Sequence, residues 1–177
     1  MAHLQVAVSA AVPPPLLQNF RAMLDIAFNG DFSDDDWAHA LGGTHVWIEG
    51  PDGVVSHGAL VERTLVCSGH VVRVGYVEAI ATARTRRRRG HASDVLRHIN
   101  GLIREQYALG ALSTGTPEFY GRLGWERWGG PTFANGPNGL ERTPDDDGGI
   151  MILRTPRTPH LNLDGEIAAD WRAGDVW

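Results

Sequence analysis

Arg87-Arg88-Arg89-Gly90-His91-Ala92 joins an apolar run to a long amphipathic segment, and its reading decides the fold. The stretch is an Arg-x-x-Gly-x-Ala turn between a strand and a helix. The first backbone N–H groups of a helix have no partner within it, and the macrodipole adds partial positive charge there. Gly90 lets the backbone approach a ligand closely, and the arginines around it supply fixed charge. A pyrophosphate suits such a turn. The motif alone is a weak signal and needs agreement from its neighbours.

Upstream, residues 70–82 read as a strand through Val71, Val72, Val74, Tyr76, Val77 and Ile80. Downstream, Ala92, Val95, Leu96, Ile99, Leu102, Ile103 and Tyr107 recur at helical spacing. Residues 109–113 form a short buried strand and 117–123 a brief helix, after which Gly124-Trp125 returns the chain to extended structure. Toward the N-terminus, 3–9 reads as a strand. A helix over 15–28 carries Leu16, Leu17, Phe20, Leu24 and Phe28 on one side and stops at Asn29-Gly30. Ser33 or Asp34 caps a second, short helix bearing Trp37, Ala40 and Leu41. Strands at 45–49 and 54–65 pair around Pro51-Asp52-Gly53. Residues 130–148 read as a long loop, 150–153 as a strand and the tail to Trp177 as mixed structure. The expectation is α+β: one domain over 1–177, with a mixed, mostly antiparallel sheet flanked by helices.

Composition narrows the function classes. Hydrophobic residues at 42% and charged residues at 21% are ordinary for a globular chain. No apolar run approaches the ~20 residues of a membrane span. Met1-Ala2-His3-Leu4 lacks the basic start of a secretory signal. Cys67 is the only cysteine, read as a buried thiol, which fits a reducing cytoplasm. The 8 histidines show no metal-ligand spacing, so no metal is expected; His45 and His98 read as structural or exposed. The arginine cluster lacks interleaved aromatics and the net charge is −5, which disfavours nucleic acid. Acidic residues gather at Asp31, Asp34, Asp35 and Asp36 and again at Asp145-Asp146-Asp147, either as solvated loops or as sites for a cation.

The order strand, Arg-x-x-Gly-x-Ala turn, amphipathic helix, short strand, then Phe119-Tyr120-x-x-x-Gly124-Trp125 resembles the GNAT acyltransferase superfamily over residues 70–128. Further stretches narrow the resemblance to the aminoglycoside 2′-N-acetyltransferases. They are Asn29-Gly30-Asp31-Phe32, Asp35-Asp36-Trp37-Ala38-His39-Ala40-Leu41-Gly42-Gly43, Gly75-Tyr76-Val77-Glu78, Arg142-Thr143-Pro144-Asp145-Asp146-Asp147-Gly148 and Asp170-Trp171-Arg172-Ala173-Gly174-Asp175-Val176-Trp177. The segment from Ser113 to Tyr120 is about two residues shorter than the family pattern.

The resemblance implies acetyl-coenzyme A held between two splayed central strands of a GNAT sheet. Its pyrophosphate would lie on the turn, with Arg87, Arg88, Arg89, Gly90, His91, Ala92 and Ser93 as binding residues. Its pantetheine would run along Ile80 and Thr82. Glu78 would be the general base, directly or through water, or else an anchor for a cationic substrate. Tyr120 would protonate the departing thiolate, unless its hydroxyl is structural. A β-bulge after Glu78 would free a backbone N–H near Ala79 or Ile80 for the thioester oxygen. Asp31, Asp36, Asp146 and Asp175 would bind the ammonium groups of an aminoglycoside, with Ser113 on a ring substituent and Trp177 walling the site. For Asp34, Asp35, Asp145 and Asp147 the solvated or helix-capping reading stays ahead. The resemblance also implies a homodimer. The same chemistry on a cell-wall amino sugar, or drug sequestration without catalysis, are the competing functions.

Overall fold

The computed structural model describes residues 3–177; Met1 and Ala2, part of the segment read above as lacking the basic start of a secretory signal, lie outside the described residues. Among the described residues ten strands form one mixed sheet. By their contacts the described residues divide into two compact units, 3–61 with 77–99 and 62–76 with 100–177. No helix among the described residues is long and apolar enough to cross a membrane.

The first unit opens with β1 (His3–Val8), antiparallel to β2 (Thr44–Gly50). β2 in turn pairs antiparallel with β3 (Gly53–Cys67), whose first half belongs here. Gly53 takes the turn between them at φ +109°, a backbone open to glycine at no steric cost. α1 (Pro14–Ala27) begins on a proline whose missing N–H is no loss in the first helical turn. It buries Phe20, Met23 and Leu24. α2 (Asp34–Ala40) starts on a capping box. Ser33 Oγ accepts from the Asp36 amide at 3.1 Å, and Asp36 Oδ2 accepts from the Ser33 amide at 2.8 Å. The last part of β4 (His70–Thr82) and the start of α3 (His91–Gln106) complete this unit. They pack closely over Gly58, where a Cβ would lie 2.4 Å from Ile80 Cδ1 and 2.9 Å from Ile99 Cδ1.

In the second unit, β5 (Leu109–Ser113) runs parallel to β4 from Val74↔Leu109 to Tyr76↔Ala111. Among the described residues that ladder ends there, although β4 continues to Thr82. On its other side β5 pairs antiparallel with β9 (Ile150–Arg154), which also carries the short β6 (Glu126–Arg127). α4 (Pro117–Gly121) lies between β5 and β6 in sequence.

Residues 130–148 are not the expected loop. They form a hairpin of β7 (Thr132–Gly136) and β8 (Gly139–Arg142), followed by a 3-10 turn at Pro144–Asp146. Gly136-Pro137 sits at the hairpin turn while Gly130-Pro131 and Thr143-Pro144 flank the two strands, and β8 is exposed throughout, so no apolar alternation marks it. The tail likewise contains β10 (Ile167–Asp170), antiparallel to β3 and parallel to β7.

Candidate active site

At the arginine turn the structure separates side chains that build it from those left to a ligand. Arg87 donates to the carbonyls of Thr82 (3.3 Å) and Ala27 (3.1 Å). Arg84 donates to the Ile26 carbonyl and to Asn29 Oδ1, and Arg86 pairs with Asp52 at 2.6 Å. Arg88 and Arg89 are exposed and have no such partner among the described residues. Arg88 and Gly90 adopt positive φ, +62° and +86°, which turns the backbone into the start of α3. The amide of Asp94 bonds the Gly90 carbonyl at 3.0 Å. The amides from Arg88 to Ser93 have no acceptor among the described residues. Unpartnered amides beside two uncommitted guanidinium groups fit a diphosphate.

On β4, Glu78, Ala79, Ile80 and Thr82 are half-buried. Thr82 Oγ1 is paired with Ser56 Oγ at 2.9 Å, so its hydroxyl is already engaged within the protein. Ala79 leaves the extended region for φ +53°, at the position where a bulge is implied. A left-handed backbone at a residue with a Cβ costs about 1–2 kcal/mol, so something must hold it. The Ala79 carbonyl accepts a hydrogen bond from His57 Nδ1 at 3.0 Å. His57 Nε2 lies 2.9 Å from His45 Nδ1, and His45 Nε2 lies 2.8 Å from Ser9 Oγ. Both imidazoles are fully buried. Desolvation pushes their pKa values down, to about 4 for His45 and about 3 for His57. In the latter the Ala79 bond opposes the shift and His45 adds to it. Both rings are therefore neutral at physiological pH.

Of the acidic residues in the first unit, Asp31 is exposed in the loop before α2. Asp36 is half-buried, with Oδ2 held by the Ser33 amide and hydroxyl, both at 2.8 Å. Asp34 is exposed at the helix start and pairs with Arg21 at 2.8 Å.

In the second unit Tyr120 is buried, edge-on to Phe119 and Trp125. Burial raises its phenol to about 12, against which a hydrogen bond with Thr114 acts. Ser113 is exposed at the end of β5. Asp146 has its pKa raised, first by desolvation and then by the negative charge of Asp175; a hydrogen bond with Thr143 opposes both. Carboxylates that repel one another, one of them partly desolvated, suit a cationic ligand. Asp175 Oδ1 accepts from the Trp177 amide at 3.1 Å. The Trp177 indole is buried and donates to Thr143 Oγ1 at 3.0 Å.

Asp147 is solvent-exposed and caps the C-terminal end of the 3-10 turn, as the solvated or capping reading has it, but its carboxylate is also anchored. It accepts two bonds from Arg142 (2.9 and 2.6 Å), one from the Thr132 amide (3.0 Å) and one from the Thr132 hydroxyl (2.9 Å). The Arg142 bond above all lowers its pKa to about 2.

Two groups are invisible to motif reading. His57 looks like one more polar residue in a strand, although a histidine flanked by Val54, Val55, Gly58 and Ala59 is itself a sign of a buried imidazole. Arg63 is buried and clamps the tail: Nε pairs with Asp170 Oδ1 at 2.9 Å, Nη2 with the Asp170 carbonyl and Nη1 with the Val176 carbonyl, both at 2.7 Å. Its guanidinium also stacks 4.7 Å from the centre of the Tyr76 ring. Cys67 is the buried thiol expected, with burial raising it to about 12.

An amide cradle, a kinked strand and a fold of this topology define a class, and the comparisons agree with it. The acetyltransferase (GNAT) domain family matches residues 16–128. The chain belongs to the GNAT acetyltransferase family and is an acyltransferase. Within that family it is 42% identical over 161 residues to a Mycolicibacterium fortuitum protein named aminoglycoside 2′-N-acetyltransferase, covering 89% of this chain and 83% of the relative. The fold is shared with a GNAT family N-acetyltransferase of Escherichia coli solved with CoA (TM-score 0.65, 17% identity, 95% of this chain and 89% of that one). It is shared equally with a Brucella melitensis acetyltransferase solved with acetyl-CoA (0.62, 14%, 97% of each). Larger solved proteins are matched over only 32–35% of their length.

Proposed function

We propose that this enzyme transfers the acetyl group of acetyl-CoA to the 2′-amine of aminoglycosides, by direct attack within a ternary complex. The observation that carries this reading is the likeness over 89% of the chain to a relative bearing that activity in its name. The unpartnered amides from Arg88 to Ser93 and the uncommitted Arg88 and Arg89 are its physical counterpart on the cosubstrate side. In this reading Ile80 and Thr82 line the pantetheine.

Glu78 takes a proton from the substrate ammonium, through water where the distance requires it. An amine with other cationic groups nearby has a lowered pKa, which makes a carboxylate an adequate acceptor. The amine nitrogen then bonds to the thioester carbon, a bulge amide hydrogen-bonds the oxygen, the nitrogen gives up its second proton to water, and the carbon–sulfur bond breaks with its electron pair leaving on sulfur. Tyr120 donates to that sulfur. Asp31, Asp36, Asp146 and Asp175 hold the remaining ammonium groups, Ser113 a ring substituent and Trp177 the wall. A direct mechanism is supported by Cys67, the only thiol of the chain, being buried and held protonated. The same reading takes the chain as a single cytoplasmic domain that works as a homodimer.

Thiol release from acetyl-CoA, measured with tobramycin (2′-amine) and kanamycin A (2′-hydroxyl), tests the proposal. Both drugs carry a 6′-amine. Turnover on tobramycin alone is expected. Equal turnover on both would refute the 2′ assignment, and none on either would refute the substrate class.

A further inference from the structure

The carbonyl of Ala79 only accepts, so the proton of the 3.0 Å contact must sit on His57 Nδ1. A neutral ring then offers Nε2 as an acceptor, which places a proton on His45 Nδ1 across the 2.9 Å contact. His45 Nε2 is left to accept from the Ser9 hydroxyl at 2.8 Å, and Ser9 Oγ itself accepts from the Gly42 amide at 3.0 Å. The Gly43 carbonyl, the other acceptor near Ser9 Oγ at 3.2 Å, already receives the Ser9 amide at 2.9 Å. Every link of the chain Gly42 → Ser9 → His45 → His57 → Ala79 therefore has one direction. Phe20 of α1 packs against both rings, with centroids 5.5 Å from His45 and 4.6 Å from His57, and limits their rotation.

The end of the chain lies on the kinked backbone. A trans peptide is planar, with its C=O and the next N–H pointing in opposite directions. Fixing the Ala79 carbonyl toward His57 therefore fixes the Ile80 N–H away from it. We infer that His57, oriented by His45 and Ser9, is a positioning residue for acyl transfer: by gripping the Ala79 carbonyl it holds the left-handed kink and aims the Ile80 amide at the thioester oxygen. This inference rests on the proposed acetyl transfer and names both the amide donor and the group that aims it.

Two arms test it. In the first, saturating thiol-release kinetics compare wild type with His57→Phe, which keeps a ring without a donor, and His57→Asn, whose amide nitrogen falls near the position of Nδ1. His57→Phe should lower kcat by about 10–100-fold, somewhat less than outright loss of an oxyanion donor, with KM for acetyl-CoA within about threefold. His57→Asn should recover much of that loss. A folded His57→Phe enzyme with wild-type kcat, or a loss shared equally between kcat and KM, overturns the inference. In the second arm, imidazole 15N shifts of the wild-type protein report the tautomers without any variant or substrate. Both rings should be neutral with the proton on Nδ1, and a proton on Nε2 of either breaks the chain and overturns the inference. Wild-type protein that shows the expected tautomers but acetylates no amine would instead refute the function on which the inference rests.

Discussion

Replacing Tyr120 with Phe removes one oxygen from a buried ring that stays packed against Phe119 and Trp125. Thr114, which bonds that hydroxyl, keeps Thr116 Oγ1 at 3.2 Å, so the fold should tolerate the change. The phenol pKa of about 12 sets what the hydroxyl does. Against a thiol near ~8.5, full proton transfer to a free thiolate would be uphill by roughly 5 kcal/mol. Tyr120 is thus always protonated at working pH, and its contribution is a hydrogen bond that strengthens as charge builds on sulfur. The proton follows only where desolvation raises the thiol pKa as well. Loss of one hydrogen bond to a charged group costs ~1.5–3 kcal/mol. In rate that is about 10–150-fold. Steady-state kinetics of Tyr120→Phe should show this loss in kcat, with drug and acetyl-CoA affinities by calorimetry unchanged. The kcat–pH profile of wild type should carry no alkaline limb from this phenol below about pH 11. A loss in binding equal to the loss in kcat, or an alkaline limb near pH 9 that vanishes in Tyr120→Phe, would refute the assignment.

Arg63→Met should lower stability by about 2–4 kcal/mol, because it strips three hydrogen bonds from a buried site while half-exposed Asp170 turns to water. Denaturant unfolding measures this, and drug affinity should weaken with it as the segment bearing Asp175 loosens. The folded pKa of Asp147, about 2, lies below its ordinary value of 3.8, so its contribution is present above about pH 4 and lost as pH falls through 2. Discounted for solvent exposure it is roughly 1 kcal/mol, and the stability gap between wild type and Asp147→Asn should close on acidification. Arg88→Gln with Arg89→Gln should raise KM for acetyl-CoA and flatten its salt dependence with kcat kept, whereas an unchanged KM would leave the amides as the only phosphate ligands.

What was legible in the sequence follows from physics that acts locally. Strand β4, strand β5 and helix α3 announce themselves because burial imposes apolar periodicity on the chain, and their observed bounds match the pattern to within a residue. β8 and β10 do not. β8 is exposed on both faces, so its hairpin pairing with the neighbouring β7 leaves no apolar alternation, and β10 is short and exists because of partner strands far away in sequence. The same divide runs through the site. The turn, Glu78 and Tyr120 are recognisable by residue type and order. That Arg87 serves two carbonyls, that Asp147 is held by Arg142 and Thr132, and that His57 reaches Ala79 are facts of tertiary placement with no local mark.

The position of β10 bears on how the molecule is made. It lies between β3 and β7, yet it leaves the ribosome after both. Until it arrives, the β7–β8 hairpin has no neighbour on its β7 side, and the Leu65–Cys67 end of β3 shows an open edge. A nascent or heat-loosened chain therefore exposes complementary unpaired strands, the condition under which strands from different molecules pair with one another. Aggregation on refolding should track the docking of this one four-residue strand more closely than it tracks the stability of the helices.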